Sequence, residues 1–141
     1  EEKEMELTGE IPEHAYALAD SEGMKKVFRN FLTNAIRYSP KGAKLTVCFQ
    51  ENGFSLENEG TFIPEEALPK LFEAFYRVED SRNRKSGGSG LGLYIVRMIL
   101  DAHGAAYGTE NTAGGVRFWF RLKENHTQFT HTLPETTIKT R

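Results

Sequence analysis

Two groups of residues in this chain have the types and spacing for chemistry on an anion. The first is Gly87-Gly88-Ser89-Gly90-Leu91-Gly92-Leu93, which runs directly into the apolar stretch Tyr94-Ile95-Val96-Arg97-Met98-Ile99-Leu100. The four glycines leave backbone with little side-chain cover. A helix beginning where they end turns its unpaired N–H groups and the positive end of its dipole toward the loop. Such a terminus favours a phosphate. Two familiar phosphate motifs do not fit. A dinucleotide fingerprint would need a glycine where Leu93 or Ile95 stands, and a Walker loop would need Lys where Leu93 follows Gly92. A flexible glycine hinge before a helix is the alternative reading.

The second group is Asn30, Asn34 and Arg37, at i, i+4 and i+7, on one line of a helix beside its apolar stripe. Asparagine is a poor interior helix residue because its amide competes for backbone hydrogen bonds. Two in register, one turn before Arg37 and Tyr38, therefore suggest a site, with a solvated polar face as the alternative. An amide oxygen can ligate Mg²⁺, an ion that takes a few protein oxygens together with water and nucleotide phosphates. Further along, Leu56-Glu57-Asn58-Glu59-Gly60 ends a strand with an acceptor and a glycine, where a base edge could be met, although a plain loop accounts for it equally well. Arg77 closes Leu71-Phe72-Glu73-Ala74-Phe75-Tyr76-Arg77, where a guanidinium could reach phosphate oxygens. Phe72 and Phe75, at helical spacing, read as core.

These residues need elements to hold them. Met5–Glu10 and Ala15–Ala19 read as short strands about Ile11-Pro12. Asp20 or Ser21 caps a helix to about Tyr38, whose Met24, Val27, Phe28, Phe31, Leu32, Ala35 and Ile36 repeat at three and four. Ser39-Pro40-Lys41-Gly42 ends it. Leu45, Val47 and Phe49 alternate on a strand, Asn52-Gly53 turns the chain, and Phe54 and Leu56 continue on the partner. Pro64–Leu71 reads as a short helix and Val78–Gly90 as a long polar loop. A helix over Leu91–Ala102 follows. Ala105–Glu110 and Val116–Leu122 then form a hairpin across Gly114-Gly115, with Val116, Phe118, Phe120 and Leu122 on its buried face. Strands separated by helices, with hairpins among them, indicate an α+β or α/β sandwich, one sheet covered by helices.

The chain has 141 residues, enough for one domain with a real core. Its net charge of −2 gives no reason to expect a nucleic-acid or anionic-membrane surface. Cys48 is the only cysteine and reads as a small core hydrophobe. No apolar run is long enough to span a bilayer and no signal-peptide pattern is present, so this segment is expected to lie outside the membrane. It opens on Glu1 and not a methionine, as expected of a fragment or a processed product. Periodicity stops after Leu122, and residues 123–141 are expected to form a disordered polar tail.

In this order, the segments resemble the catalytic, ATP-binding domain of bacterial sensor histidine kinases, with the Bergerat fold shared by the gyrase and Hsp90 ATPases. Asn30–Pro40 resembles that family's N box, Leu56–Pro64 its G1 box, Leu71–Arg77 its F box and Gly87–Leu93 its G2 box. The resemblance implies a two-layer α+β sandwich, a mixed sheet with helices on one face, over residues 1–122, with a mobile lid at about residues 76–92. It implies ATP and Mg²⁺ as ligands. Asn34 would coordinate the metal and Asn30 support it, these two and Arg77 forming the catalytic set. Arg37 and Arg77 would hold phosphates, and Tyr38 would lie against the nucleotide. Asn58 would recognise adenine through its exocyclic amine. Gly60, Ile63, Phe75, Gly88, Ser89, Gly90, Leu91, Gly92 and Leu93 would complete the nucleotide site.

The G1 box departs from the usual pattern, with Asn58 for an aspartate and Phe62 for a second glycine. An amide still accepts from the adenine amine but without charge, which implies weaker ATP binding and softer base discrimination. Asparagine in this box is similar to Gram-positive sensors, including the vancomycin-resistance VanS type. The implied partners are a histidine-bearing dimerisation domain, absent here, and a response regulator, within the cytoplasmic part of a membrane-anchored sensor. None of His14, His103, His126 and His131 has the sequence context of an acceptor histidine. Two other readings stand beside this one. A gyrase- or Hsp90-like ATPase would need a glutamate base where Asn30 stands, and an amide cannot take a proton from water at neutral pH. A non-catalytic nucleotide-sensing or docking module is the other.

Overall fold

Asp20 opens the first helix. Its backbone is extended and its carboxylate accepts the Gly23 N–H at 2.9 Å, satisfying one of the donors that a helix start leaves unpaired. In the computed structural model, which describes residues 6–10, 19–50, 52–60, 62–78 and 90–123, this helix, α1, runs Ser21–Arg37. Met24, Val27, Phe31 and Ala35 are buried as their spacing predicts, and Phe28 packs against the same core. Leu32 and Ile36 do not join them; they are 42% and 36% exposed. The buried arc is turned the other way round the helix, because the flank holding Gly23, Asn30 and Asn34 lies against a second helix. A Cβ on Gly23 would stand 3.1 Å from Ile99 Cγ2 of that helix.

The sheet has five strands: β1 (Glu6–Glu10), β2 (Lys44–Gln50), β3 (Gly53–Glu59), β4 (Ala106–Asn111) and β5 (Gly115–Arg121). Their spatial order is β1-β2-β3-β5-β4, with β1 parallel to β2 and every other pair antiparallel. This is the expected mixed sheet. Leu45, Phe54, Leu56, Val116, Phe118 and Phe120 are buried on its helix side. Phe28 meets Phe54 edge-on with centroids 4.8 Å apart, and Phe31 meets Phe118 at 5.7 Å. Such aromatic pairs add to the free energy of burial itself.

Strand parity corrects the reading of Cys48. Side chains alternate between faces, so residues between Leu45, Val47 and Phe49 point away from the helices. Cys48 is accordingly exposed on the open face rather than a core residue. That face is polar, and Arg117 reaches Glu110 at 2.9 Å and Glu57 at 3.4 Å across it.

At the first hairpin, Asn52 takes the left-handed conformation (φ 59) and Gly53 already pairs with Gln50. The helix expected over Pro64–Leu71 is instead a set of turns with one 3₁₀ turn, Leu68–Lys70. Pro69 within it lacks an N–H and disfavours the α conformation at Leu68. Helix α2 runs Gly92–Ala102, and its end is tied to the start of α1 through His103. The ring Nδ1–H donates to the Ile99 carbonyl at 2.7 Å, while Nε2 accepts the Asp20 N–H at 2.9 Å. No described helix is long and apolar enough to cross a membrane. The strand expected over Ala15–Ala19 falls outside the described residues except for Ala19, which is in no strand, and the 124–141 tail lies outside them too.

Candidate functional site

The two asparagines of α1 are pinned by their own helix. Asn30 Nδ2 donates to the Lys26 carbonyl and Asn34 Nδ2 to the Asn30 carbonyl, each at 2.9 Å. Both amides therefore lie along the helix, with each Oδ1 the atom not used in that bond. Asn34 is buried. The first turn of α2 comes down on this pair. A Cβ on Gly92 would stand 2.9 Å from Asn30 Oδ1 and 3.8 Å from Asn34 Nδ2, so the missing side chain is what allows the approach. Leu91, at the N-cap, supplies no side-chain bond to the first turn, which leaves its N–H groups and dipole for another acceptor. Leu93 turns its side chain into the core, so only its backbone can serve a ligand.

Gly90 reaches the F-box segment in the same way. Its φ is 74, and a Cβ would stand 2.9 Å from the Phe75 backbone. The Phe75 N–H donates to the Gly90 carbonyl at 2.9 Å. Phe72 is buried against Tyr107, but Phe75 is 72% exposed with φ 63, a left-handed conformation unusual for a bulky residue. The reading of Phe75 as core is therefore corrected. The two phenylalanines lie on turns, not on one helix, so helical spacing does not place them together.

Gly60 joins the G1 segment to the end of α1. Its φ is 143, and a Cβ would stand 2.8 Å from Pro40 Cδ and 3.2 Å from the Tyr38 carbonyl. Burial pushes the Tyr38 phenol above its usual pKa, against the pull of the Arg37 and Arg77 guanidiniums, while Tyr76 adds to the upward shift. Arg77, remote in sequence from the adjacent pair Arg37 and Tyr38, thus lies within electrostatic reach of Tyr38.

Asn58 is the most buried polar residue among those described, at 0% exposure. Its Nδ2 has a long contact of 3.5 Å to the Glu59 carbonyl, and its Oδ1 has no partner among the described residues. An unpaired buried acceptor costs stability, about 1–3 kcal/mol, unless something donates to it. Ile63 is buried nearby at 3%, held by Asn111, a residue that the sequence reading missed. No spacing rule marks Asn111, since its partner lies 48 positions away. Gly88, Ser89 and the rest of the expected lid from 79 to 89 lie outside the described residues.

No cluster of three or more His, Cys, Asp or Glu able to hold a metal occurs among the described residues. The amide oxygens of Asn34 and Asn30 instead fit an ion such as Mg²⁺ that takes most of its ligands from phosphate and water.

Comparison with known proteins shows the family. Residues 19–126 match the family described as histidine kinase-, DNA gyrase B-, and HSP90-like ATPase. The sensor protein VanSB of Enterococcus faecalis is 38% identical over 122 residues, covering 84% of this chain and 27% of that protein. The chain thus spans about a quarter of the length of that relative. Among solved structures, the catalytic domain of histidine kinase ThkA matches with a TM-score of 0.69 at 32% identity, over 84% of this chain and 78% of that one. Full-length ShkA in complex with AMPPNP matches with a TM-score of 0.63 at 28% identity, over 84% of this chain and 25% of that one. The chain belongs to the histidine kinase-, DNA gyrase B- and HSP90-like ATPase family, as an ATP-binding catalytic domain of the sensor histidine kinase type.

Proposed function

We propose that the domain binds ATP with its base at Asn58 and its phosphates at the start of α2, and donates the γ-phosphoryl group to a histidine on a separate dimerisation domain, for relay to a response regulator. The observation that carries this reading is the fully buried, unpartnered Oδ1 of Asn58, an acceptor suited to the adenine amine. The bare helix start at Gly92 lies at the other end of the site.

Each described residue then has a task. Asn58 accepts from the base edge, and Gly60 keeps the G1 segment close to Tyr38. The backbone N–H groups at Leu91, Gly92 and Leu93 and the guanidiniums of Arg37 and Arg77 face the phosphates. Asn34, supported by Asn30, would hold Mg²⁺, which neutralises phosphate charge when bound. Catalysis by such a site is positioning together with charge stabilisation, the acceptor nitrogen being held in line with the departing phosphoryl group. His103, the one described histidine, has both ring nitrogens engaged, which agrees with an acceptor supplied by another domain. Asn30 offers no base to activate water, which disfavours the ATPase reading.

Calorimetric titration with ATP and Mg²⁺, beside GTP, tests the binding half. Transfer of labelled γ-phosphate to an added histidine-bearing helical hairpin tests the kinase half. Mg²⁺-dependent ATP binding with transfer supports the proposal. Binding without transfer to a competent hairpin would favour a nucleotide-sensing or docking module.

A further inference from the structure

Asn58 and Asn111 lie opposite the same residue, Val116, one from each side of β5. Residues directly opposed across a ladder share a face, so both amides project to the helix side, two strand spacings or about 10 Å apart. Their hydrogen bonding differs completely. Asn58 leaves its Oδ1 without a partner. Asn111 spends its whole amide on one residue: the Ile63 N–H donates to its Oδ1 at 2.9 Å, and its Nδ2 donates to the Ile63 carbonyl at 2.7 Å.

Ile63 belongs to an irregular stretch beside β4, an edge strand of the sheet. It has no strand partner, so one side-chain amide completes both its donor and its acceptor, as a bridge in a sheet would. On its C-terminal side the Pro64 carbonyl accepts from the Ala67 N–H at 2.9 Å and the Leu68 N–H at 3.3 Å, a turn that fixes Pro64, whereas Phe62 on the other side is exposed. Among the described residues the next tether back is a longer bond from the Gly60 N–H to the Gly114 carbonyl at 3.3 Å. Asn111 is thus the group that holds the backbone of Ile63 itself, between the Pro64 turn and the exposed Phe62.

We infer that Asn111 is a positioning residue for nucleotide recognition: by clamping both backbone groups of Ile63 it sets the wall against which a base is held with its edge at Asn58. The inference rests on the reading of Asn58 as the base acceptor. It separates the two ends of the ligand, because a loosened Ile63 would weaken the grip on the base and leave the phosphate contacts at Gly92 in place.

The test is titration of the whole chain with ATP and with inorganic tripolyphosphate, both with Mg²⁺, for the wild type, Asn111→Asp and Asn111→Ala, with thermal melts alongside. Asn111→Asp keeps the volume and one acceptor but sets an anion against the Ile63 carbonyl. The expected result is roughly a tenfold loss of ATP affinity in the folded variants, with tripolyphosphate affinity changed by less than about twofold. Parallel loss of both ligands, or no loss of either, would overturn the inference. Should both variants fail to fold, the side-chain amide resonances of Asn111 in the wild type decide it. They should shift with ATP and not with tripolyphosphate, and no shift with ATP counts against the clamp. A wild-type chain that binds tripolyphosphate but not ATP would instead overturn the base reading at Asn58, and this inference with it.

Discussion

The proposed base end and the proposed phosphate end of the site are built from different materials. At the proposed base end side chains would do the work: the sheet presents Asn58 and Asn111, and Asn111 holds Ile63 of the irregular stretch that follows β3. At the phosphate end the chain presents backbone, and the side chains are removed so that it can. Gly90 and Gly92 let the start of α2 reach the Phe75 segment and the asparagines of α1. The difference follows from what each end would recognise. A base edge is a pattern of neutral donors and acceptors, which a buried amide can read because no water competes. Phosphate carries delocalised charge, and aligned N–H groups, a helix dipole and guanidiniums answer it without a tight shape.

The largest effect is expected where the phosphate end is stripped of its buried amide. Asn34→Ala should cut Mg²⁺-dependent ATP binding or phosphoryl transfer by roughly 10- to 100-fold, as loss of groups that hold or orient a metal does. Calorimetry with and without the metal checks this, and ATP binding that stays equally Mg²⁺-dependent would remove Asn34 from the site. Next comes Gly92→Ala. Its methyl would meet Asn30 Oδ1 at 2.9 Å, so Asn30 must move or the first turn of α2 must tilt. Loss of one charge-assisted N–H contact corresponds to about tenfold in ATP affinity. An unchanged affinity would show that this turn does not touch phosphate.

The base end should answer in the opposite direction. Asn58→Asp converts a neutral acceptor into a charged one, worth roughly 1 kcal/mol or about fivefold tighter ATP binding. The same change should lower the melting temperature of the ligand-free domain near neutral pH, because a buried carboxylate without a partner is costly. It should also raise the preference for ATP over GTP. No gain in ATP affinity by calorimetry would count against Asn58 as the base reader.

Tyr38, between the two ends, gives the smallest effect. Its phenol is held above the usual pKa mainly by burial, so the folded state keeps the proton more tightly than the unfolded chain. The contribution is fully present below the ordinary tyrosine pKa of about 10 and is lost as pH rises through the folded value. Tyr38→Phe should therefore flatten the alkaline end of the stability profile, as followed by denaturant melts between neutral and strongly alkaline pH.

Much of this arrangement was legible in the chain. The stripe of α1 and the two hairpins follow from periods of 3.6 and 2 and from turn chemistry, which are local properties, and the four motif segments are legible as residue types in order. Two of the errors come from neighbours in space and one from a proline in the segment itself. Leu32 and Ile36 sit at core spacing yet are exposed because α2 covers the opposite flank of the helix. Cys48 looked like core until the register of β2 put it on the open face. Pro69 broke a helix that length and composition favoured.

The sequence by itself determined which residues could meet a nucleotide, since amide, guanidinium and bare glycine backbone are properties of residue type. Only the tertiary structure decided which of them is available. Asn58 and Asn111 are the same residue type on the same face of one sheet, and neither type nor face tells which amide is left open. Ile63, 48 positions from Asn111, takes up that amide completely, whereas no described group donates to Asn58 Oδ1. Hydrogen-bond satisfaction is settled by neighbours in space, and in a sheet those neighbours are remote in sequence.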